Sequence, residues 1–408
     1  MPPSAFHSLR HRDFRRFWAG QGVSLAGTHM ARVAVAWQLY ELTHDPVQLG
    51  LLGAAKLLPV LLLSLPGGVL ADRFDRRWLL FGATAVLAVG SSLLWWCTTA
   101  GTLTPWILYA VVALQSAAGA VGGPARQAMI PNLVPVRDLQ PAITLVMLTW
   151  DVTGVAGPAL GGIALAHAGA AAIHLFDAVS YLVVMGALAS LAPHPPQRDA
   201  TPHEAPLAAM AAGIRWVASQ PLIRASMLLD FFATLFGQAT VLFPILAAEV
   251  LHVDETGLGL LYAAPALGSV LAGLVLSVSP PLVAQGRWLI ASVAVYGLAT
   301  VAFGLSASFL LTLGALAVVG ASDTVSTVLR QTLRQRVTPD AMRGRMTGVN
   351  MLFFMGGPQL GELESGLGAA WLGAPLAIAA GGAGVLITVA VAVARVPALW
   401  HYRDAPAD

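Results

Sequence analysis

Carboxylates stand inside apolar runs where a packed helix would ordinarily carry leucine, among them Asp151, Asp230, Asp323, Glu362 and Glu364. Cations share such runs: Arg32, Lys56, Arg126 and Arg330, with His29 three residues before Arg32. Residues three, four and seven apart lie side by side on a helix. That spacing groups Gln21, Ser24, Thr28 and Arg32 on one face, and Ser116, Gly119, Gly123 and Arg126 on a second. It groups Asp230, Thr234 and Gly237 on a third, and Asp323, Thr327, Arg330 and Arg334 on a fourth. The chemistry open to acids in such places is reversible protonation. Desolvation favours the neutral carboxyl, and a nearby arginine favours the charged one. Asp230 and Asp323 suit that role best; the alternative is permanent pairing with Arg32 or Arg330.

The other charged positions allow more than one reading. Arg32 suits either an anionic substrate or a carboxylate partner. Lys56 lies near Pro59, far from either end of its run, so its stem has a long way to snorkel. Asp151 shares a face with Pro158 and suits a water or a cation. Glu364 falls on the stripe Gly357, Gly361, Gly368 while Glu362 points roughly the other way, so at least one of the two meets protein or water. His29 is either a group titrating near neutral pH or a satisfied polar contact. Asp177 reads as a capping or packing group.

The elements that carry these residues follow from composition. The chain has 408 residues, 57% of them hydrophobic and only 10% charged, against about a quarter charged in a soluble domain. Lipid is the solvent that accommodates so much apolar surface. A spanning helix needs about 20 apolar residues, and twelve such runs are present: 17–42, 47–71, 78–99, 105–125, 144–167, 172–191, 222–250, 257–279, 288–305, 309–333, 346–370 and 374–394. With that count every arginine cluster falls on one side, from Arg10–Arg16 through Arg73–Arg77, Arg126, Arg137 and Arg334–Arg345 to Arg395 and Arg403. The opposite loops hold Asp45, His252, Asp254 and Glu255 and no Lys or Arg. The positive-inside rule then puts both termini in the cytoplasm. The basic N-terminal stretch does not read as a cleavable signal. Spans three, nine and twelve carry almost no charge and suit an outer, lipid-facing position.

The chain also repeats itself. Leu49-Gly-Leu-Leu-Gly-Ala-Ala55 echoes Leu258-Gly-Leu-Leu-Tyr-Ala-Ala264, Arg76-Arg-Trp-Leu-Leu80 echoes Gly286-Arg-Trp-Leu-Ile290, and Arg126-Gln127 echoes Arg330-Gln331. Gly157-Pro-Ala-Leu-Gly161 likewise echoes Gly357-Pro-Gln-Leu-Gly361. The expectation is an all-α integral membrane protein. It has two pseudo-symmetric six-helix bundles, 1–192 and 222–408, joined by a cytoplasmic linker at 193–221 with a short surface helix. Such parallel repeats place a binding site near mid-membrane. Trp37, Tyr40, Trp150, Phe231, Phe236 and Phe353 are candidate contacts for a bulky amphiphile, or helix packing groups.

Gly68-Val-Leu-Ala-Asp72-Arg73-Phe-Asp75-Arg76-Arg77 resembles the signature of the loop between spans two and three in the major facilitator superfamily, with Asp75 where that signature carries its second glycine. The resemblance implies that Gly68, Asp72, Arg73, Arg76 and Arg77 form a conformational gate. Gly154-Val-Ala-Gly157-Pro158-Ala-Leu-Gly161-Gly162 resembles the fifth-helix pattern of the antiporters of that superfamily, in shortened form. Arg126-Gln-Ala-Met-Ile-Pro131, Arg343-Gly-Arg345 and Gly361-Glu-Leu-Glu364 are similar to the bacterial drug and siderophore exporters, the enterobactin-exporter-like and macrolide-efflux-like branch. That resemblance implies proton-antiport export of an amphiphilic small molecule across a bacterial-type inner membrane, by rocker-switch alternating access. The expected partners are therefore a small-molecule substrate, protons and the lipid bilayer, with a monomer as the working unit. Importer or facilitator, and non-transporting membrane sensor, are the alternatives. The single cysteine, Cys97, leaves no internal disulfide or cysteine metal cluster, and no His/Cys/Asp grouping has metal-site spacing. No Walker loop, nucleophile–base pair or cofactor motif is present, so neither an enzyme, a cofactor nor a nucleic-acid partner is expected.

Overall fold

A computed structural model describes residues 5–191, 206–280 and 282–403. Linker residues 193–205, with Arg198, and the side chain of Asp72 lie outside the described residues. We label the long helices in chain order: α1 Arg12–Thr43, α2 Pro46–Arg73, α3 Arg76–Thr99, α4 Pro105–Leu133 and α5 Leu139–Ala189. The short linker helix is α6 Pro206–Ser219, followed by α7 Pro221–Gly237, α8 Glu255–Val278, α9 Gln285–Leu305, α10 Phe309–Val337, α11 Asp340–Leu372 and α12 Ala374–Arg395. No strand occurs among the described residues.

These helices supply twelve spans. Nine described segments are both long and apolar enough by composition alone. α1 and α11 are long enough but fall outside that criterion. The segment containing α5 counts once although it crosses twice. The break inside α5 is Gly169, at φ 75° and ψ 169°. Only glycine adopts that conformation without strain, so the chain leaves span five and re-enters as span six there. Gly373, at φ 79°, does the same between α11 and α12. It follows Gly169 by the same interval that separates Arg330 from Arg126. Span seven departs from the single helix read from sequence. α7 stops at Gly237, the chain passes through a 3-10 turn at Thr240–Leu242, and a π-helical turn at Leu246–Val250 finishes the crossing.

Other helix ends have local causes. Thr104 caps α4, accepting from the Ile107 amide at 3.4 Å, with Pro105 at the first helical position, where a missing amide hydrogen costs nothing. Asp75 caps α3 by accepting from the Arg77 amide at 2.9 Å. The aspartate in place of glycine thus has a structural job, since an N-cap carboxylate takes up one of the free amides of the first turn.

The chain divides into two compact units: residues 1–44, 55–200 and 253–263, and residues 45–54, 201–252 and 264–408. Each repeats the same pairings. In unit 1, α1 packs on α5, and α3 packs on both α4 and α5. In unit 2, α7 packs on α11 and α12, and α9 packs on α10 and α12. Helices in lipid gain little from hydrophobic burial and associate instead through close packing of small residues. Unit 1 shows this at Gly162, where an added Cβ would sit 2.7 Å from Gly259 Cα. Unit 2 shows it at Gly366, where an added Cβ would meet Gly50 Cα. Gly162→Val has no flexible neighbour to push aside. We expect it to cost about 1–3 kcal/mol as overpacking, read as a lowered thermal midpoint of the purified protein, whereas Gly68→Ala, at an open position, leaves the midpoint unchanged.

Candidate functional site

Arg330 on α10 gathers the strongest polar cluster of unit 2. Its NH2 lies 2.8 Å from Asp230 Oδ1 on α7 and 3.9 Å from Asp323 Oδ1 two turns earlier on α10. It also donates through NH1 to Ser326 Oγ at 2.6 Å and through NH2 to Thr327 Oγ1 at 2.9 Å. Helical periodicity explains half of this, because Asp323, Ser326, Thr327 and Arg330 share one face of α10. The other half comes from α7, which turns Asp230 toward that face; Thr234, one turn on, returns its hydroxyl to the Asp230 carbonyl at 2.9 Å.

The two acids differ in surroundings. The Arg330 and Asp230 side chains are 3% and 7% exposed, while Asp323 is 50% exposed. Breaking a buried ion pair by removing one partner is strongly destabilising. Asp323 lies farther from the guanidinium and is half-exposed. The acids line a small cleft with Thr234, Tyr296, Ser322 and Ser326, with room for about one water. Tyr296 belongs to α9 and is 7% exposed. One face of α9 thus closes the acid cleft, while Trp288, Val295, Leu298 and Leu305 of the same helix are exposed. Arg334, a turn beyond Arg330, is also buried, with NH1 unpartnered.

In unit 1 the repeat equivalent of Arg330 meets no acid. Arg126 is half-buried on α4, and among the described residues it has no hydrogen bond or ion pair; its recorded electrostatic neighbour is Tyr181. Arg32 is exposed at mid-α1, also with no ion pair among the described residues. His29 is buried, its Cβ pressed under Gly157 where an added Cβ would lie 2.5 Å away. Its ring meets Trp150 edge-on at 5.8 Å, and Nε2 has no partner. Trp150 is half-exposed, and Asp151 beside it is exposed, with no ion pair among the described residues. Lys56 is half-buried on α2.

The remaining expected residues lie elsewhere. Glu362 is buried on α11, 3.5 Å from Thr240 Oγ1 and against Gly53. Glu364 is half-buried with no hydrogen bond among the described residues. Gly361, on the stripe with Gly357, packs on Leu235 and Thr234 of α7. Phe231 and Phe353 meet edge-on at 5.7 Å. Phe236 is committed to packing, stacked on Phe232 and pressed by Gly381 and Gly384 of α12. Tyr40 is 6% exposed beside Trp37. Of the fifth-helix pattern, Gly157 and Gly161 receive His29 and Met30 of α1, Gly162 meets α8, Pro158 is buried and Gly154 half-buried.

In the loop after α2, Arg73 is exposed, and Arg76 NH1 donates to the Ala128 carbonyl at 3.2 Å. Arg77 donates to the carbonyls of Leu191 and Ala189, the latter at 2.8 Å. These bonds tie the start of α3 to the ends of α4 and α5 within unit 1. Gly68 meets nothing, whereas its neighbour Gly67 packs on the backbone of Ala120 and Val121. The sequence reading missed Gly67, since either glycine fits an apolar run.

The chain is similar to known proteins over nearly its whole length. The family model for transmembrane secretion effectors matches residues 3–405. The enterobactin exporter EntS of Citrobacter koseri is 32% identical over 406 residues, covering 97% of this chain and 94% of the relative. That of Escherichia coli K12 is 31% identical with the same coverage. Among solved structures, a bacterial homolog of the human lysosomal transporter Spinster aligns with TM-score 0.76 at 15% identity, covering 97% of this chain and 98% of that one. The nucleoside transporter NupG aligns with TM-score 0.72 at 12% identity, covering 96% and 100%. The chain is a transporter rather than an enzyme: it belongs to the transmembrane secretion effector family of the major facilitator transporters.

Proposed function

We propose that this chain exports an acidic, oxygen-rich aromatic amphiphile of the catecholate siderophore type in exchange for protons. The observation that carries the coupling is the single arginine shared by two unlike acids, Asp230 buried and Asp323 half-exposed. When Asp323 takes a proton, Arg330 keeps only Asp230; when it loses the proton, the cluster regains a second anion. Two conformations that differ in the water around Asp323 therefore differ in proton affinity, which is the requirement for coupling. Arg32 and Arg126, without acid partners among the described residues, supply cationic anchors for the substrate, with Trp150 as an exposed ring against His29, three residues before Arg32. Asp151, Glu362 and Glu364 are secondary candidates for the proton path, with His29, Lys56, Trp37, Phe231 and Phe353 in supporting positions. Residues 1–192 and 222–408 act as alternating halves in the inner membrane, joined through 193–221, with both termini cytoplasmic and one chain as the working unit. Asp72, Arg73, Arg76 and Arg77 brace the cytoplasmic edge. The relatives named as enterobactin exporters support the direction and substrate class.

The test uses purified protein in inside-out proteoliposomes with enterobactin as probe. An acid interior should drive its accumulation, and a collapsed gradient should abolish it. Arg32→Gln and Arg126→Gln should each weaken enterobactin binding about tenfold or more, the worth of one charge-assisted hydrogen bond. Accumulation that ignores the pH gradient would contradict antiport, and unchanged affinity in both variants would contradict the anchors.

A further inference from the structure

Unit 1 holds a second acid that the proposed coupling site does not use. Asp177, in the part of α5 after Gly169, is 1% exposed. Its Oδ2 accepts from Ser91 Oγ on α3 at 2.6 Å, and Ser91 in turn receives Gln115 Nε2 of α4 at 3.0 Å. Its Oδ1 is buried with no partner. α1 presents Gly27 and Thr28, α3 presents Ser91, and α4 presents Gln115, with Arg126 further along facing Tyr181. α5 itself adds Tyr181 and His174, the latter bonded through Nε2 to Gln38 Oε1 at 2.7 Å. His29 of α1 points away, toward Gly157 and Trp150. No cation among the described residues pairs with Asp177.

An ionised carboxylate buried with one neutral donor and a bare oxygen carries a desolvation penalty that nothing here offsets. The neutral acid fits the site. We infer that Asp177 is a proton-binding site of the first half, protonated when α1 packs as observed and ionised when α1 withdraws. The cover is one residue: a Cβ added at Gly27 would lie 2.9 Å from Asp177 Oδ1, so α1 can seat over the acid only as glycine. The next residue, Thr28, bonds Tyr181 OH at 2.9 Å, one turn beyond Asp177. Arg32, the proposed substrate anchor, stands on the same helix just over a turn further on. Substrate that pulls Arg32 moves the cover over Asp177, which links occupancy to release. In the step, Asp177–COOH gives its proton to water and keeps the Ser91 hydrogen bond; no other bond forms or breaks. This inference rests on the antiport reading and adds a carrier to it.

The experiment is infrared difference spectroscopy on purified protein carrying carboxyl-labelled aspartate, with the proteoliposome assay above and its probe as the functional arm. At about pH 7, well above the ordinary aspartate range, native protein should show a protonated aspartate band that Asp177→Asn lacks. Asp177→Asn, which mimics the neutral acid, should keep enterobactin exchange without a gradient and lose about tenfold in gradient-driven accumulation. Asp177→Glu restores a carrier and should recover accumulation, which also covers a failure of the asparagine variant to fold. A native spectrum with no band lost on Asp177→Asn, or full accumulation in that variant, would overturn the inference. Failure of the native protein to accumulate probe would instead strike the antiport reading, since it needs no substitution.

Discussion

Arg330→Ala should destabilise the purified transporter by about 3–5 kcal/mol, the cost of stranding one member of a buried ion pair. Asp230, 7% exposed, would lose the guanidinium 2.8 Å away, and the hydroxyls of Ser326 and Thr327 would lose their donor. Lysine cannot replace the fork, because one ammonium cannot reach Asp230, Ser326 and Thr327 in the planar geometry that guanidinium provides. Removing the anion at the same time should relieve most of the loss. The double variant Asp230→Asn, Arg330→Gln should therefore unfold at a higher temperature than Arg330→Ala alone. Thermal unfolding in detergent checks both statements. Equal midpoints for Arg330→Ala and the native protein would mean that the pair contributes nothing to the fold.

Asp323→Asn should behave in the opposite way, keeping the fold and losing the work. Its side chain is half-exposed and 3.9 Å from Arg330, so little structure depends on its charge, as for exposed pairs generally. A gradient of about one pH unit stores about 1.36 kcal/mol per proton, enough for about a tenfold accumulation. Without the Asp323 proton that accumulation should fall about tenfold, while enterobactin exchange in the absence of a gradient continues. Native accumulation in Asp323→Asn would remove this residue from coupling.

The sequence made some of this visible and hid the rest for physical reasons. Twelve crossings, the half repeat and the all-helical class were readable because hydrophobic run length and charge sidedness are local properties. That Asp323, Thr327 and Arg330 share a face was readable from intervals of four and three. Which arginine Asp230 meets was not, since that depends on how α7 is turned against α10. Tyr296 and Ser91 were hidden for the same reason: each sits in a span whose low charge suggests lipid, yet each turns a polar side chain inward. Asp177 looked like a capping or packing residue because it lies near one end of span six, and its oddity appears only when its partners are counted in space. Gly169 and Gly373 carry no periodic signal; their left-handed backbone angles are set by the turn between two crossings. Asp75, a departure from the superfamily signature in sequence, proves to be a helix cap once the start of α3 is seen.

The proposed coupling is tested most directly by proton release on substrate binding. Enterobactin would be added to purified protein in weakly buffered detergent solution near neutral pH, and the pH followed with a soluble indicator. Native protein should release protons as it binds the probe, and Asp323→Asn should bind with the release reduced. Binding without any proton release by the native protein, or release unchanged in Asp323→Asn, would contradict an exchange of substrate for protons through the acids around Arg330.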